Sequence, residues 1–251
     1  MERTLIFIFF ALVITTPFLY RIIRLGGLSW FVKKDQLGHD QNYDKAEQLR
    51  FVQIIIGYCY FILHGSISWG WSNIILFTLI AFFISISMEI LGSNFGFIFG
   101  GKYQYDPEKS PGPIYAGIPL VIPLSWVGLI YMSLNFSIFI LGHDYFVGSS
   151  KGMVILIIPS FLLTILDLVL DPIAVDEKRW EWKIPGPYHN VPLFNFSGWF
   201  FTTLIILWLF TILHVPIITD TDSSLLFQYS PGLLFSILPA IASRPCFERG
   251  L

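Results

Sequence analysis

Residues 72–91 read SNIILFTLIAFFISISMEIL, a run whose single charged side chain, Glu89, stands close to its end. A helix needs about 20 mostly apolar residues to cross a hydrocarbon layer of roughly 30 Å, and this run meets that length. Comparable runs lie on both sides of it, at 4–20, 51–69, 119–141, 152–171, 197–215 and 223–243. The run at 51–69 is the most polar of these, diluted by Gly57, His64, Gly65 and Ser66. Composition agrees with the count: of 251 residues, 55% are hydrophobic and 13% charged, a balance outside the range of soluble domains. The expected fold is all-α, a polytopic membrane bundle of about seven transmembrane helices that occupies residues 1–251 as one domain.

The basic residues orient that bundle. Of the 15 lysines and arginines, a seven-span chain places Arg21, Arg24, Lys33, Lys34, Lys45, Arg50, Lys102, Lys109, Lys178, Arg179, Lys183, Arg244 and Arg249 on one side, and only Arg3 and Lys151 on the other. Cytoplasmic loops carry the positive excess, so the N-terminus is expected outside, the C-terminus inside, and the protein in the cytoplasmic membrane. The first apolar run has the length of a signal peptide, but no small-x-small cleavage site precedes Arg21, and it is expected to stay as a helix. Cys59 within a span and Cys246 in the predicted inner tail do not form a disulfide framework. No repeat or heptad pattern is visible, and the net charge of −2 gives no reason to expect a nucleic-acid partner.

Two connections, 92–118 and 172–196, are long and rich in Gly, Pro and aromatic residues, and both fall on the predicted cytoplasmic side. Gly92, Gly96 and Gly100 recur every four residues, which in a helix lines one face with small residues and lets a neighbour approach. Glu89, three residues before Gly92, would share that face. A carboxylate at the middle of a span costs roughly 2.5 to 3.5 kcal/mol on insertion scales, less near the end, so its presence implies a partner or a task. The alternative is an acid at a helix end that reaches interfacial water.

Asp167 and Asp171 lie four apart on one helix face, and Pro172 is expected to end the fifth span at Asp171. The third and fifth spans end on the same side, so Glu89, Asp167 and Asp171 share a depth. Asp171 as a turn cap and Asp167 as one interhelical hydrogen bond is the competing account. Asp106 and Asp176 read as turn or cap residues. Trp180 and Trp182 read either as interfacial anchors or as parts of the site, which Asn195 and Trp199 would face from one side of the sixth span. Carboxyl groups crowded in a low-dielectric pocket can share a proton and serve as acid and base, and aromatic faces stabilise a cation without trapping it. Together these suit protonation of an alkene to a tertiary carbocation followed by capture of water.

The series Glu89, Gly92, Gly96, Gly100, Tyr103, Tyr105, Gly117, Pro119, Trp126, Asp167, Asp171-Pro172, Ala174, Trp182, Gly186, Tyr188, Val191-Pro192, Asn195-Phe196 and Gly198-Trp199 resembles the membrane carotenoid biosynthesis family, which contains gamma-carotene and bisanhydrobacterioruberin hydratases. The resemblance covers roughly residues 55–215. His189 and Asn190 depart from it, standing where a tyrosine and a glycine are expected. It implies hydration of the terminal 1,2 double bond of an acyclic carotenoid end group, without a redox or other cofactor. It further implies Glu89, Asp167 and Asp171 as catalytic residues, with Tyr103, Tyr105, Trp126, Trp182, Tyr188, Asn195 and Trp199 against the substrate. The implied partners are a carotenoid dissolved in the bilayer and other membrane enzymes of the same pathway.

Other classes fit less well. Asp167-x-x-x-Asp171 resembles one of the two aspartate motifs of membrane prenyltransferases, but the second Asp-rich helix end that would complete a magnesium site is missing. His39, His64, His143, His189 and His214 are scattered without metal-ligand spacing and read as polar boundary residues. No metal site is therefore expected. The last span has no lysine for a retinal Schiff base. Residues 96–102 fit most of a phosphate-binding loop, but Tyr103 replaces its Ser/Thr, and neither strand nor cytosolic fold surrounds it. A pigment-binding or transport protein without catalysis could use the same aromatics, although a pure carotene binder has no need of buried acids.

Overall fold

The computed structural model describes residues 2–27, 41–142, 154–215 and 223–251. Its helices are α1 (Glu2–Leu25), α2 (Gln41–Ser68), α3 (Trp71–Phe95), α4 (Val121–Leu141), α5 (Val154–Asp176), α6 (Leu193–Leu213) and α7 (Leu225–Arg249). All seven are long and apolar enough to cross a membrane, so the expected polytopic helical bundle is what the chain forms. Lys33, Lys34, His39, His143 and Lys151 lie outside the described residues.

Burial is arranged for lipid rather than water. α4 packs against α2, α3, α5 and α7, and Trp126, Ile130, Tyr131 and Leu134 on it are fully buried. Outer helix faces carry large apolar side chains such as Phe7, Phe83, Phe161 and Trp208, each more than half exposed. The interior holds small polar residues instead. Ser137 donates to Ser133 O at 2.8 Å and Ser160 to Leu156 O at 2.7 Å, bonds back to the preceding turn that satisfy these two hydroxyls in an apolar setting.

Two helix prolines create a harder problem, and the chain solves both in the same way. Pro172 does not end α5, which continues to Asp176. Without an N–H, Pro172 leaves the Leu168 carbonyl without its helical donor, and the Tyr188 hydroxyl donates to that carbonyl at 3.0 Å. In α7, Pro231 frees the carbonyl of Phe227, which bonds His64 Nε2 at 2.8 Å. Because a carbonyl only accepts, Nε2 carries a proton, while Nδ1 pairs with the Tyr131 hydroxyl at 2.6 Å. His64 is thus a fully buried core residue, where the sequence reading expected a boundary position.

Among the described residues, two segments outside the helices pair as short strands. β1 (Tyr103–Tyr105) lies antiparallel to β4 (Trp180–Trp182), with Tyr103 opposite Trp182 and Tyr105 opposite Trp180. β2 (Ile114–Tyr115) and β3 (Ile118–Pro119) form a tight hairpin before α4. The β1–β4 ribbon ties together the two long connections and closes over one end of the bundle. A charged network flanks it: Arg179 bonds Glu47 at 2.9 Å and Glu177 at 2.6 Å, Arg249 bonds Glu177 at 2.6 Å and Asp176 at 2.7 Å, and Arg21 bonds Glu248 at 2.6 Å. Burial pushes the Glu177 carboxyl up, but Arg179, Arg50 and Arg249 outweigh it and hold the group down at about 2. Asp176 is accordingly an ion-pair partner of α7 rather than a turn residue, whereas Asp106 does cap a single 3-10 turn, accepting from Glu108 N at 3.0 Å.

Candidate active site

The site is built by the way the chain leaves α3. The four-residue glycine spacing does not continue the helix. α3 stops at Phe95, with Gly96 as its left-handed cap (φ 72°) and Gly100 also left-handed (φ 75°), conformations that cost other residues energy. The loop therefore turns back along the helix end. There Phe99 and Tyr103 pack so closely on Gly92 that a β-carbon at Gly92 would collide with the Phe99 ring and come within 3.1 Å of Tyr103. A β-carbon at Gly100 would lie 2.7 Å from Pro192. The glycines thus bring a loop onto the helix that carries Glu89, where the sequence reading expected two helices to meet.

Glu89 is the focus of that fold-back. Its Oε2 accepts from the Tyr103 hydroxyl at 2.5 Å and the Tyr105 hydroxyl at 2.8 Å, and its Oε1 accepts from the Trp126 indole N–H at 2.8 Å. The carboxyl is buried and held by three donors from two elements, the ribbon strand β1 and the central helix α4. Burial, and then the neighbouring Glu89 carboxyl, raise the Tyr103 and Tyr105 hydroxyls well above the usual phenol range, so both remain protonated donors.

Across the cavity, α5 and α6 supply a second group. Asn195 Nδ2 donates to Asp167 Oδ2 at 2.8 Å and to Asp171 Oδ2 at 2.5 Å, bridging two carboxyls one helical turn apart. Among the described residues no N–H or hydroxyl donor reaches the buried Asp167 Oδ1, while the Asp167 and Asp171 carboxyls lie within hydrogen-bonding reach of each other. One turn beyond Asn195, Trp199 stacks on Trp126, ring centroids 3.9 Å apart and planes inclined by 23°. Trp182 packs on Tyr103 at 5.5 Å and donates its indole N–H to Phe99 O at 3.1 Å.

Glu89, Asp167, Asp171, Asn195, Tyr103, Tyr105, Trp126, Trp182 and Trp199 all line one cavity of about 590 Å³, within the usual range for a small-molecule site. Trp180 lines it as well, so neither ribbon tryptophan is only an interfacial anchor. Tyr188 does not. Its hydroxyl is engaged by the Leu168 carbonyl and its ring packs edge-on against Phe196 at 5.5 Å, which makes it a brace for α5 at the level of the aspartates. At the neighbouring departure from the family pattern, Asn190 takes φ 67° and His189 φ 47°. Asn190 keeps the left-handed turn that a glycine would favour, as asparagine does most readily.

Sequence reasoning missed part of the wall. Glu47, Arg50, Gln53 and Gly57 of α2, and Phe9, Leu12, Val13, Thr16 and Pro17 of α1, also reach the cavity. The polar stripe Glu47, Arg50, Gln53 at helical spacing was the available signal. The described residues contain no group of three or more His, Cys, Asp or Glu side chains placed to hold one metal ion.

No curated protein and no solved structure matches the chain. The family model described as carotenoid biosynthesis protein matches residues 49–243, a span that includes every acid, amide and aromatic of the cluster above and leaves out α1. By that match the chain belongs to the carotenoid biosynthesis protein family and has its role in that biosynthesis.

Proposed function

We propose that the protein is a carotenoid hydratase that adds water across the terminal 1,2 double bond of an acyclic carotenoid end group. The observation that carries this reading is the cavity itself: a mainly apolar chamber into which three carboxyls and two stacked indoles project. The aspartate pair, joined by the Asn195 amide and by a direct contact between the two carboxyls, supplies the proton. It adds to the less substituted carbon of the double bond and leaves a tertiary cation, which the Trp126 and Trp199 faces stabilise. Glu89, accepting from three donors, is the acceptor-only member of the cluster. It orients the attacking water and takes the proton released as the new C–O bond forms, and proton exchange with water restores the acid. The two protons balance, no electrons are transferred, and the chemistry requires neither nucleotide nor metal.

Expression in a host that makes lycopene and gamma-carotene tests the reading. Pigments heavier by one water, seen by mass spectrometry and dependent on the intact chain, are the expected result. Magnesium-dependent release of diphosphate would instead identify a prenyltransferase, and pigment that co-purifies unchanged would identify a binding protein.

A further inference from the structure

We infer that Gly57 of α2, which lines the same cavity as Val13 and Thr16 of α1, keeps open the passage that receives the apolar chain of the substrate, and that residue size there determines how long a chain is accepted. This deepens the hydratase reading, since it places the polyene behind the end group that enters the carboxyl cluster.

Gly57 lies in the middle of a transmembrane helix, where glycine is less favourable than alanine. Inside a bundle this is usually offset by close helix packing, as at Gly65, where a β-carbon would collide with Ile74. Gly57 has no such reason: among the described residues, a β-carbon there would meet nothing within 4 Å. Nor does its backbone take a left-handed conformation. It does line the cavity that holds Glu89 and the aspartates. What the missing side chain provides is room.

A further wall is α1, whose Phe9, Leu12, Val13, Thr16 and Pro17 form a stripe along the same cavity, while Phe7, Ile14 and Phe18 are exposed. The α1 stripe is apolar except for Thr16, whose hydroxyl is spent on Leu12 O at 2.6 Å. It has no acid or amide to contribute to the reaction, and an extended hydrocarbon is the ligand that such a wall fits. α1 is held in place by Tyr20 on Glu47 at 2.9 Å and Arg21 on Glu248 at 2.6 Å. Because α1 lies outside the matched residues 49–243, this wall is added to the part of the chain that carries the chemistry.

The test uses the full-length chain in detergent, as wild type, Gly57→Ala, Gly57→Leu and Val13→Trp, each loaded with lycopene or with the short acyclic isoprenoid farnesene. Retained hydrocarbon per protein and hydrated product are measured separately. Gly57→Leu and Val13→Trp should each retain at least about tenfold less lycopene, the scale expected for overfilling an apolar slot, while farnesene retention changes little. Gly57→Ala should melt no lower than wild type. The two bulky variants sit on different helices, so misfolding of one leaves the other informative. Wild-type lycopene retention in both bulky variants, equal loss of both hydrocarbons, or no retention by wild type overturns the inference. Selective loss of lycopene with no hydrated product from any protein upholds the passage and overturns the hydratase reading alone.

Discussion

At the residue scale the cluster contains three acids with different surroundings. Glu89 accepts from two phenols and an indole, whereas Asp167 and Asp171 share the Asn195 amide and lie against each other. Amide replacement keeps the shape and removes the exchangeable proton. Glu89→Gln, Asp167→Asn and Asp171→Asn are each expected to lower hydration by at least about a hundredfold, the usual scale for loss of a general acid or base, with expression and pigment retention preserved. The double variant Asp167→Asn with Asp171→Asn should be little worse than its weaker parent, because groups that act as a unit are not additive. Turnover near wild type in any single variant would make that residue structural. All three acids were legible in the sequence, since charge inside an apolar run is conspicuous, as were Asn195 and Trp199, one turn apart at a helix start. The partners of Glu89 were less so. That Tyr103 and Tyr105 both reach it depends on a fold-back through left-handed glycines, and the spacing of those glycines read equally well as a helix face.

At the element scale the surprise is α5, where the proline rule predicted a stop at Asp171 and the helix runs on to Asp176. The rule weighs local backbone cost, and a donor from elsewhere in the chain offsets that cost: Tyr188 supplies the bond that Pro172 cannot. His64 does the same for the Phe227 carbonyl in α7. Neither pairing can be read from sequence, because 20 positions separate Tyr188 from Leu168 and 163 separate His64 from Phe227. Tyr188→Phe removes one hydroxyl outside the cavity and should cost about 1–3 kcal/mol, the penalty for leaving a buried acceptor unpaired, seen as a lower melting temperature in detergent. Because Asp171 precedes Pro172, some loss of hydration should accompany it, while pigment retention stays intact. A melting temperature equal to that of wild type would mean that the Leu168 carbonyl finds another donor.

At the scale of the whole molecule, seven spans were legible because apolar length is a one-dimensional property, and the bundle has them close to the expected positions. The cavity was legible only in part: its α1 wall carries no charge, and an apolar residue facing a chamber looks no different in sequence from one facing lipid. Sidedness is a prediction that draws on sequence and structure together. Ion pairs from Arg21 to Glu248 and from Arg249 to Asp176, with the backbone bond from Asp106 N to Arg179 O at 2.8 Å, gather the end of α1, both long connections and the end of α7 at one pole of the bundle. The short turn between α2 and α3, with the exposed Ser72 just beyond it in the first turn of α3, lies at the other pole, as does Arg3 near the start of α1. One pole is thus rich in basic side chains and the other poor, which predicts that the site opens toward the cytoplasm. In a background with Cys59→Ala and Cys246→Ala, a cysteine at Ser72 should react with a membrane-impermeant maleimide in intact cells. A cysteine at Ser110, beside the cavity-lining Lys109, should react only after the cells are opened. The reverse pattern would invert the bundle and place the water for hydration on the outer side, leaving the geometry of Glu89, Asp167 and Asp171 unchanged.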